Sequence, residues 1–83
     1  MIKFLKSVMI SNLDDELVLM DTKNGHYYSL NESASEIINY LQDGKTVEEV
    51  ANLLNKKYSI NIESVTNDIN ELIINLKNKK LID

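Results

Sequence analysis

The spacing of hydrophobic residues changes about a third of the way along the chain, and the change predicts two kinds of secondary structure. Up to residue 30, short apolar runs are separated by polar turns, a pattern typical of β-strands. It predicts strands over residues 5–11, 16–22 and 26–30. Asn24-Gly25 lies between the last two runs and favours a tight hairpin, because both residues tolerate positive φ. Such short connections predict an antiparallel meander that leaves the third strand at an edge.

After residue 30 the apolar residues follow a helical spacing. Asn31 has the position of a helix N-cap, Thr46 and Glu49 form a capping-box pattern, and Gly44 stands where a helix should end. The third helix is expected over about residues 63–79. The apolar stripes are Ala34, Ile37, Ile38 and Leu41 in the first helix, Val47, Val50, Ala51 and Leu54 in the second, and Val65, Ile69, Leu72, Ile73 and Leu76 in the third.

Three strands followed by three helices predict an α+β fold in which a three-stranded antiparallel sheet is backed by a helical cluster. The second and third helices form a helix-turn-helix-like pair, and the hairpin of strands two and three takes the part of a wing. The fold is therefore expected to be winged helix-turn-helix-like. No linker or internal repeat divides the sequence, so residues 1–83 are expected to form a single domain. Leu81 and Ile82 are expected to fold back on the core.

Composition narrows the possible functions. The 83 residues contain no cysteine and one histidine, which excludes disulfides, thiolate metal sites and a cysteine nucleophile. No apolar run approaches the ~18 residues that a membrane span needs. The N-terminal apolar run is broken by Lys3 and Lys6 and does not match a signal peptide. We therefore expect a cytoplasmic protein that uses no membrane and no cofactor.

Candidate catalytic residues are few. His26 has no second histidine with which to share a metal ion. The acidic run over residues 14–16 lacks the glycine and the alternating oxygen ligands of a calcium loop. Ser29, Ser33 and Ser35 are interpreted as capping and surface residues, because no base is spaced to activate them. The sequence therefore predicts no catalytic residue, no metal site and no enzyme activity.

The helix-turn-helix pattern raises DNA binding as an alternative function. The net charge is −4, and every one of the nine basic residues is lysine. The first half of the candidate recognition helix carries Glu63, Asp68 and Glu71, where carboxylates would repel the phosphate backbone. A winged-helix transcriptional regulator therefore stays an alternative, but nucleic acid is not the expected partner. A structural subunit or a toxin-antitoxin-like partner is a third possibility.

The third strand is the most informative stretch of the sequence. Alternation places His26, Tyr28 and Leu30 on one face and Tyr27 and Ser29 on the other. The strand has no proline and no clear charge to guard an exposed edge. The N-terminal segment, the third helix or a second copy of the chain would each cover such an edge. The functional alternative is strand addition, in which an extended peptide pairs with the edge and adjacent pockets select its side chains.

Four segments with characteristic spacing follow one another from residue 16 to the end of the chain: LVLMD, NGHYYSLNESASEI, YLQDGKTVEEVANLL and YSINIESVTNDINELIINLKNKKLI. Their order resembles the PqqD-like family, the RiPP recognition elements of peptide natural-product biosynthesis. Two departures concern local turns. KNKKLI lacks the glycine common before the terminal leucine, and YSINIES lacks a common proline. The parts most characteristic of the family are Tyr28, Leu30 and Asn31, then Asp43-Gly44 followed by Thr46, then Asp68 and the terminal Leu81-Ile82.

The resemblance implies a non-catalytic, standalone protein that binds the leader peptide of a ribosomally made precursor by strand addition. It would present the precursor to a modifying enzyme. That partner is either a leader peptidase and a cyclase in lasso-peptide synthesis, or a radical-SAM enzyme in PQQ-like or sactipeptide synthesis. The chain itself would be a monomer or a strand-swapped dimer. The implied peptide-binding residues are His26, Tyr27, Tyr28, Ser29 and Leu30 on the third strand and Asp68, Ile69, Leu72 and Ile73 on the third helix.

The four helix candidates have alternative interpretations. Ile69, Leu72 and Ile73 also belong to the apolar stripe of their helix, so a place in the core explains them equally well. Asp68 either pairs with a lysine of the leader or hydrogen-bonds a nearby backbone group.

Overall fold

In the computed structural model, which describes residues 2–83, three strands precede three helices. The strands form one antiparallel sheet in the order β1-β2-β3. This confirms the predicted α+β architecture. The elements are β1 (Val8–Leu13), β2 (Glu16–Asp21), β3 (His26–Leu30), α1 (Glu32–Gln42), α2 (Val47–Tyr58) and α3 (Ile62–Asn78).

The first strand differs most from its prediction, because β1 begins and ends later than the expected range 5–11. The residues that precede β1 associate with the C-terminus instead, and Leu5 N–H donates to the Leu81 carbonyl at 3.0 Å. At its other end β1 continues to Leu13, because the connection to β2 is a tight turn in which Asp14 has a φ of 56°. The turn between β1 and β2 therefore contains fewer residues than the gap between the predicted strands.

The predicted helix boundaries are confirmed by their capping contacts. The Asn31 side chain accepts a hydrogen bond from Ala34 N–H at 2.9 Å at the start of α1. Thr46 and Glu49 form both bonds of the capping box that opens α2. Gly44 follows α1 with a φ of 95°, a conformation that favours glycine at a helix end. Local sequence therefore sets where each of these helices begins or ends.

The end of α3 uses the same kind of turn without a glycine. Lys80 has a φ of 59°, and the backbone N–H groups of Lys80 and Leu81 donate to the carbonyls of Lys77 and Leu76 at 2.9 and 3.0 Å. This pair of bonds defines a Schellman motif. The glycine that KNKKLI lacks is thus replaced by a lysine in a left-handed conformation. The turn directs Leu81 into the core, where its exposed fraction is 0%.

The hydrophobic core lies between one face of the sheet and the three helices. The helical stripes predicted from the spacing supply most of it, and the two terminal apolar residues fold back onto it as expected. The buried residues are Leu17, Leu19, Ile37, Ile38, Leu41, Val50, Ala51, Leu54, Val65, Ile69, Leu76, Leu81 and Ile82.

Ser35 is buried, so its interpretation as a capping or surface residue is wrong. Its exposed fraction is 2%. The Ser35 hydroxyl accepts a hydrogen bond from Leu17 N–H at 2.9 Å and donates one to the Leu30 carbonyl at 3.1 Å. Ser35 therefore fastens α1 to both β2 and β3, where their ladder ends.

A partly buried carboxylate holds α1 against α2. Glu36 accepts hydrogen bonds from Tyr58 Oη at 2.7 Å, Lys57 Nζ at 2.9 Å and Tyr40 Oη at 3.2 Å. Partial burial alone would raise the pKa of Glu36, but these three donors outweigh it and hold the pKa below its ordinary value. The carboxylate therefore stays ionised and shared among its three donors.

Replacing Ser35 by alanine should destabilise the fold by about 1–3 kcal/mol, because a buried N–H and a buried carbonyl each lose a partner. Urea denaturation followed by circular dichroism measures this loss. Ser33→Ala is the matched control on the exposed part of the same helix, and its effect should stay within about 0.5 kcal/mol. A Ser35→Ala variant as stable as Ser33→Ala would contradict the bridging role.

Lys80→Gly should stabilise the protein by about 0.5–1 kcal/mol. A residue with a side chain incurs a steric cost in the left-handed conformation, and glycine does not. Part of this gain is offset because glycine makes the unfolded chain more flexible. Lys77→Gly, inside the last turn of α3, should instead cost about 1 kcal/mol. The two midpoints of thermal unfolding should move in opposite directions. A decrease in both would show that the turn at Lys80 is unstrained.

Candidate peptide-binding groove

The outer edge of β3 carries unpaired backbone groups. Among residues 2–83, β2 is the only strand that pairs with β3. The shared hydroxyl of Ser35 shows that Leu17 N–H and the Leu30 carbonyl face each other between the two strands. Backbone direction alternates along a strand, so Tyr28 and His26 also face β2. The N–H and C=O groups of Tyr27 and Ser29 therefore point to the free edge.

The side chains of β3 alternate as predicted. Tyr28 lies opposite Leu19 on the core face and is half-buried, whereas Tyr27 lies opposite Met20 on the outer face and is 70% exposed. His26, at the start of the strand, is exposed, and its ring meets that of Tyr28 edge-on at a centroid distance of 6.2 Å. The two adjacent tyrosines therefore serve opposite faces of the sheet.

A groove runs beside this edge, between β3 and the C-terminal half of α3, and is called here the β3–α3 groove. Its cavity has a volume of about 380 Å³. Apolar and aromatic groups form most of its walls, and the free backbone edge forms its rim. The lining residues are Tyr27, Tyr28, Ser29, Leu30, Leu72, Asn75, Leu76 and Lys79.

The structure brings one of the four predicted helix residues to this groove. Leu72 lines it, whereas Ile69 has an exposed fraction of 0% and lies wholly in the core. Ile73 lines a different cavity, which it shares with Ile82 at the C-terminus. Asp68 lies near Ser33, in a cavity between α1 and the first half of α3. The contact roles of these residues stay predictions, and Leu72 is the one with direct access to the groove.

Sequence reasoning missed three groove residues, namely Asn75, Leu76 and Lys79. They follow Leu72 at intervals of three, four and seven, which places all four on one face of a helix. That spacing was available as a signal. The α3 residues that line the groove therefore lie from Leu72 toward the C-terminus, whereas the predicted residues lay from Ile73 toward Asp68.

The β2–β3 hairpin that positions this edge is held by a buried carboxylate. Asp21 is 4% exposed, and its oxygens accept hydrogen bonds from Lys23 N–H at 3.0 Å, Asn24 N–H at 3.2 Å and Asn24 Nδ2 at 2.8 Å. The bond from the Asn24 side chain is the largest cause of a pKa below the ordinary value for Asp21. The ionised carboxylate thus favours the turn that places His26 opposite Asp21.

A second concave surface has a different chemistry. It lies between the β1–β2 turn and α1, has a volume of about 350 Å³, and is lined by five carboxylates together with Lys57. One of the five, Glu36, already has three hydrogen-bond donors. Within residues 2–83 no group of three or more His, Cys, Asp or Glu side chains has the arrangement of a metal site. The β3–α3 groove is therefore the better candidate for binding a peptide.

Comparison with known proteins agrees with this geometry. The family model of coenzyme PQQ synthesis protein D (PqqD) matches residues 16–82. The chain belongs to the PqqD family.

No curated protein matches its sequence significantly. In the described part of the chain, no helix is both long and apolar enough to span a membrane.

Two solved structures share the fold over nearly the whole chain. TbiB1 in complex with the TbiA(beta) leader peptide is 31% identical, with a TM-score of 0.88, over 98% of this chain and 94% of TbiB1. A lasso peptide synthetase B1 complexed with the leader peptide is 27% identical, with a TM-score of 0.94, over 99% of this chain and 96% of the other. Both similar chains are thus known with a leader peptide bound, and the fold of RiPP recognition elements is confirmed.

Replacing Asp21 by asparagine should weaken the hairpin, and the loss should be larger at neutral than at acidic pH. The pKa of Asp21 is lowered in the folded state, so its contribution is complete above the unfolded pKa and disappears as the pH falls through the folded one. Urea denaturation at several pH values measures this difference. Asp15→Asn, at an exposed carboxylate of the other turn, is the control. A pH-independent loss in Asp21→Asn would contradict the role of the charge.

Proposed function

We propose that this protein binds the leader peptide of a ribosomally synthesised precursor and presents the precursor to its modifying enzymes. The leader adds as a strand to the free edge of β3 and lies in the β3–α3 groove. The protein itself performs no covalent chemistry. Leader peptides bound to two structural relatives of this chain support the proposal.

The observation that carries this proposal is the combination of an open backbone edge with an apolar groove directly beside it. The outward N–H and C=O groups of Tyr27 and Ser29 supply affinity for any extended peptide, independently of its sequence. The groove-facing side chains of Tyr28, Leu30 and Leu72 then favour peptides with apolar residues at alternate positions. Backbone pairing and side-chain selection are the two elements that recognition by strand addition requires.

The product we propose is a lasso peptide, because one of the two solved relatives is a lasso peptide synthetase B1 and both are complexes with a leader peptide. The modifying partners would then be a leader peptidase and a cyclase, acting in the cytoplasm where precursors are translated. PQQ-like and sactipeptide pathways, with radical-SAM partners, are the other outcomes that the family membership allows. The genes beside this one would distinguish the three classes.

A DNA-binding regulator, the alternative function, is not favoured. The first ten residues of α3 carry Glu63, Asp68 and Glu71, which oppose contact with phosphates. Its core-facing side packs Val65 and Ile69 into the protein. Lysines appear only at the C-terminal end of α3, with Lys77 in its last turn and Lys79 at its C-cap, where they also complement the helix dipole.

Titration of the isotope-labelled protein with candidate leaders tests the proposal by NMR. The probes are the leader segments of short peptides encoded beside the gene, with the TbiA(beta) leader peptide as a reference. Amide shifts should concentrate at Tyr27, Ser29 and the stretch from Leu72 to Lys79. If every probe leaves these amides unmoved, or shifts a different surface, leader binding in this groove is disproved.

Ser29→Pro should weaken leader binding at least tenfold, since proline removes an outward N–H from the ladder that the peptide joins. Calorimetric titration with a leader that binds the wild type measures the loss. Asn12→Pro is a matched control, because the Asn12 N–H points to the free edge of β1 and both substitutions place proline on an edge strand. Equal affinities of the two folded variants would contradict pairing at β3.

A further inference from the structure

The β3–α3 groove holds a single charged side chain. Of its eight lining residues, seven are neutral, and Lys79 is the exception. The protein as a whole has a net charge of −4, so this ammonium is a local reversal of the prevailing sign. A peptide in the groove meets a positive charge at one place and uncharged walls elsewhere.

Lys79 lies at a defined point along the groove. Its Nζ is 5.7 Å from the centroid of the Tyr28 ring, so it stands above the middle of β3. Leu72 lies on the same face of α3, about 10 Å away along the helix axis at 1.5 Å per residue. Leu72 and the ammonium of Lys79 are therefore separate features of the α3 wall of the groove.

The ammonium is available to a ligand. Within residues 2–83 the one salt bridge joins Lys57 and Glu36, so no carboxylate oxygen lies within 4.0 Å of Lys79 Nζ. The Tyr28 ring beneath it attracts the cation without neutralising it. Lys79 also lies at the C-terminal end of α3, where a cation stabilises the helix, and a test has to separate that role from recognition.

We propose that Lys79 is a specificity-determining residue that selects leader peptides with an Asp or Glu side chain in the groove. This inference rests on the proposed function and adds the chemical class of its ligand. The acidic residue and an apolar residue both face the groove, so they stand an even number of positions apart in the bound strand, the shortest spacing being two. The peptide's carboxylate pairs with the ammonium of Lys79, and its apolar side chain packs against Leu72 and Leu76.

Selection from a display library of random peptides tests this proposal, with the full chain as bait. Three baits are compared: the wild type, Lys79→Glu and Lys77→Glu. Lys77 is the matched control, because it lies in the last turn of α3, two residues before the C-cap Lys79, and is likewise exposed, but lines the cavity shared with Ile73 and Ile82. Both substitutions therefore perturb the helix dipole to a similar degree, and only one changes the groove.

The wild type and Lys77→Glu should both enrich peptides with Asp or Glu at an even spacing from an apolar residue. Lys79→Glu should enrich Lys or Arg at that same position. For one enriched acidic peptide, Lys79→Glu should weaken binding about three- to tenfold, as expected for reversal of a partly exposed pair. A peptide with lysine in place of its acidic residue should recover that affinity on Lys79→Glu alone.

Three outcomes overturn the inference: no acidic preference in the wild-type pool, an acidic preference retained by Lys79→Glu, or equal effects of the Lys77 and Lys79 substitutions. In each of these cases the proposed function would still hold if the enriched peptides shift the amides of Tyr27 and Ser29. Failure of every pool to yield a peptide that shifts those amides would overturn both. The two proposals can therefore fail separately.

Discussion

One buried hydroxyl helps to position the β3 edge, the proposed binding site. Ser35, on the first turn of α1, joins Leu17 in the central strand to Leu30 at the end of the edge strand. A short hairpin is only marginally stable by itself, and within residues 2–83 β3 has a strand partner on one side only. The Ser35 bridge ties the end of β3 to α1, while the ladder with β2 sets the register of its backbone groups.

The two walls of the β3–α3 groove differ in composition, and in the proposed function each wall has a different part in peptide recognition. The β3 wall offers backbone groups, whose hydrogen bonds do not depend on the sequence of the bound strand. The α3 wall offers Leu72, Asn75, Leu76 and Lys79, whose size and charge do. Affinity and selectivity can therefore change independently. Substitutions at the exposed Asn75 and Lys79 should alter the preferred peptide without disturbing the core, whereas Leu76 belongs to the core.

The elements of the fold were predictable wherever the information is local. The β2–β3 hairpin, the N-caps at Asn31 and Thr46 and the helical stripes follow from turn chemistry and spacing within a few residues. The limits of β1 were not, because the chain before it pairs with residues at the opposite end of the sequence. The left-handed turn at Lys80 was not predictable either. Lysine disfavours this backbone conformation, and the packing of Leu81 into the core maintains it.

By itself, the sequence determined the order of the elements, the alternation that separates Tyr27 from Tyr28, and the unguarded character of β3. These depend on periodicity and on turn residues, which act over short distances. Only the tertiary structure decided that Ser35 is a buried bridge and that Leu72 reaches the groove while Ile69 does not. It also decided that Lys79 stands over Tyr28. The first outcome depends on how α1 packs against β2 and β3, and the others depend on how α3 packs beside the sheet. Both packings join residues far apart in the chain.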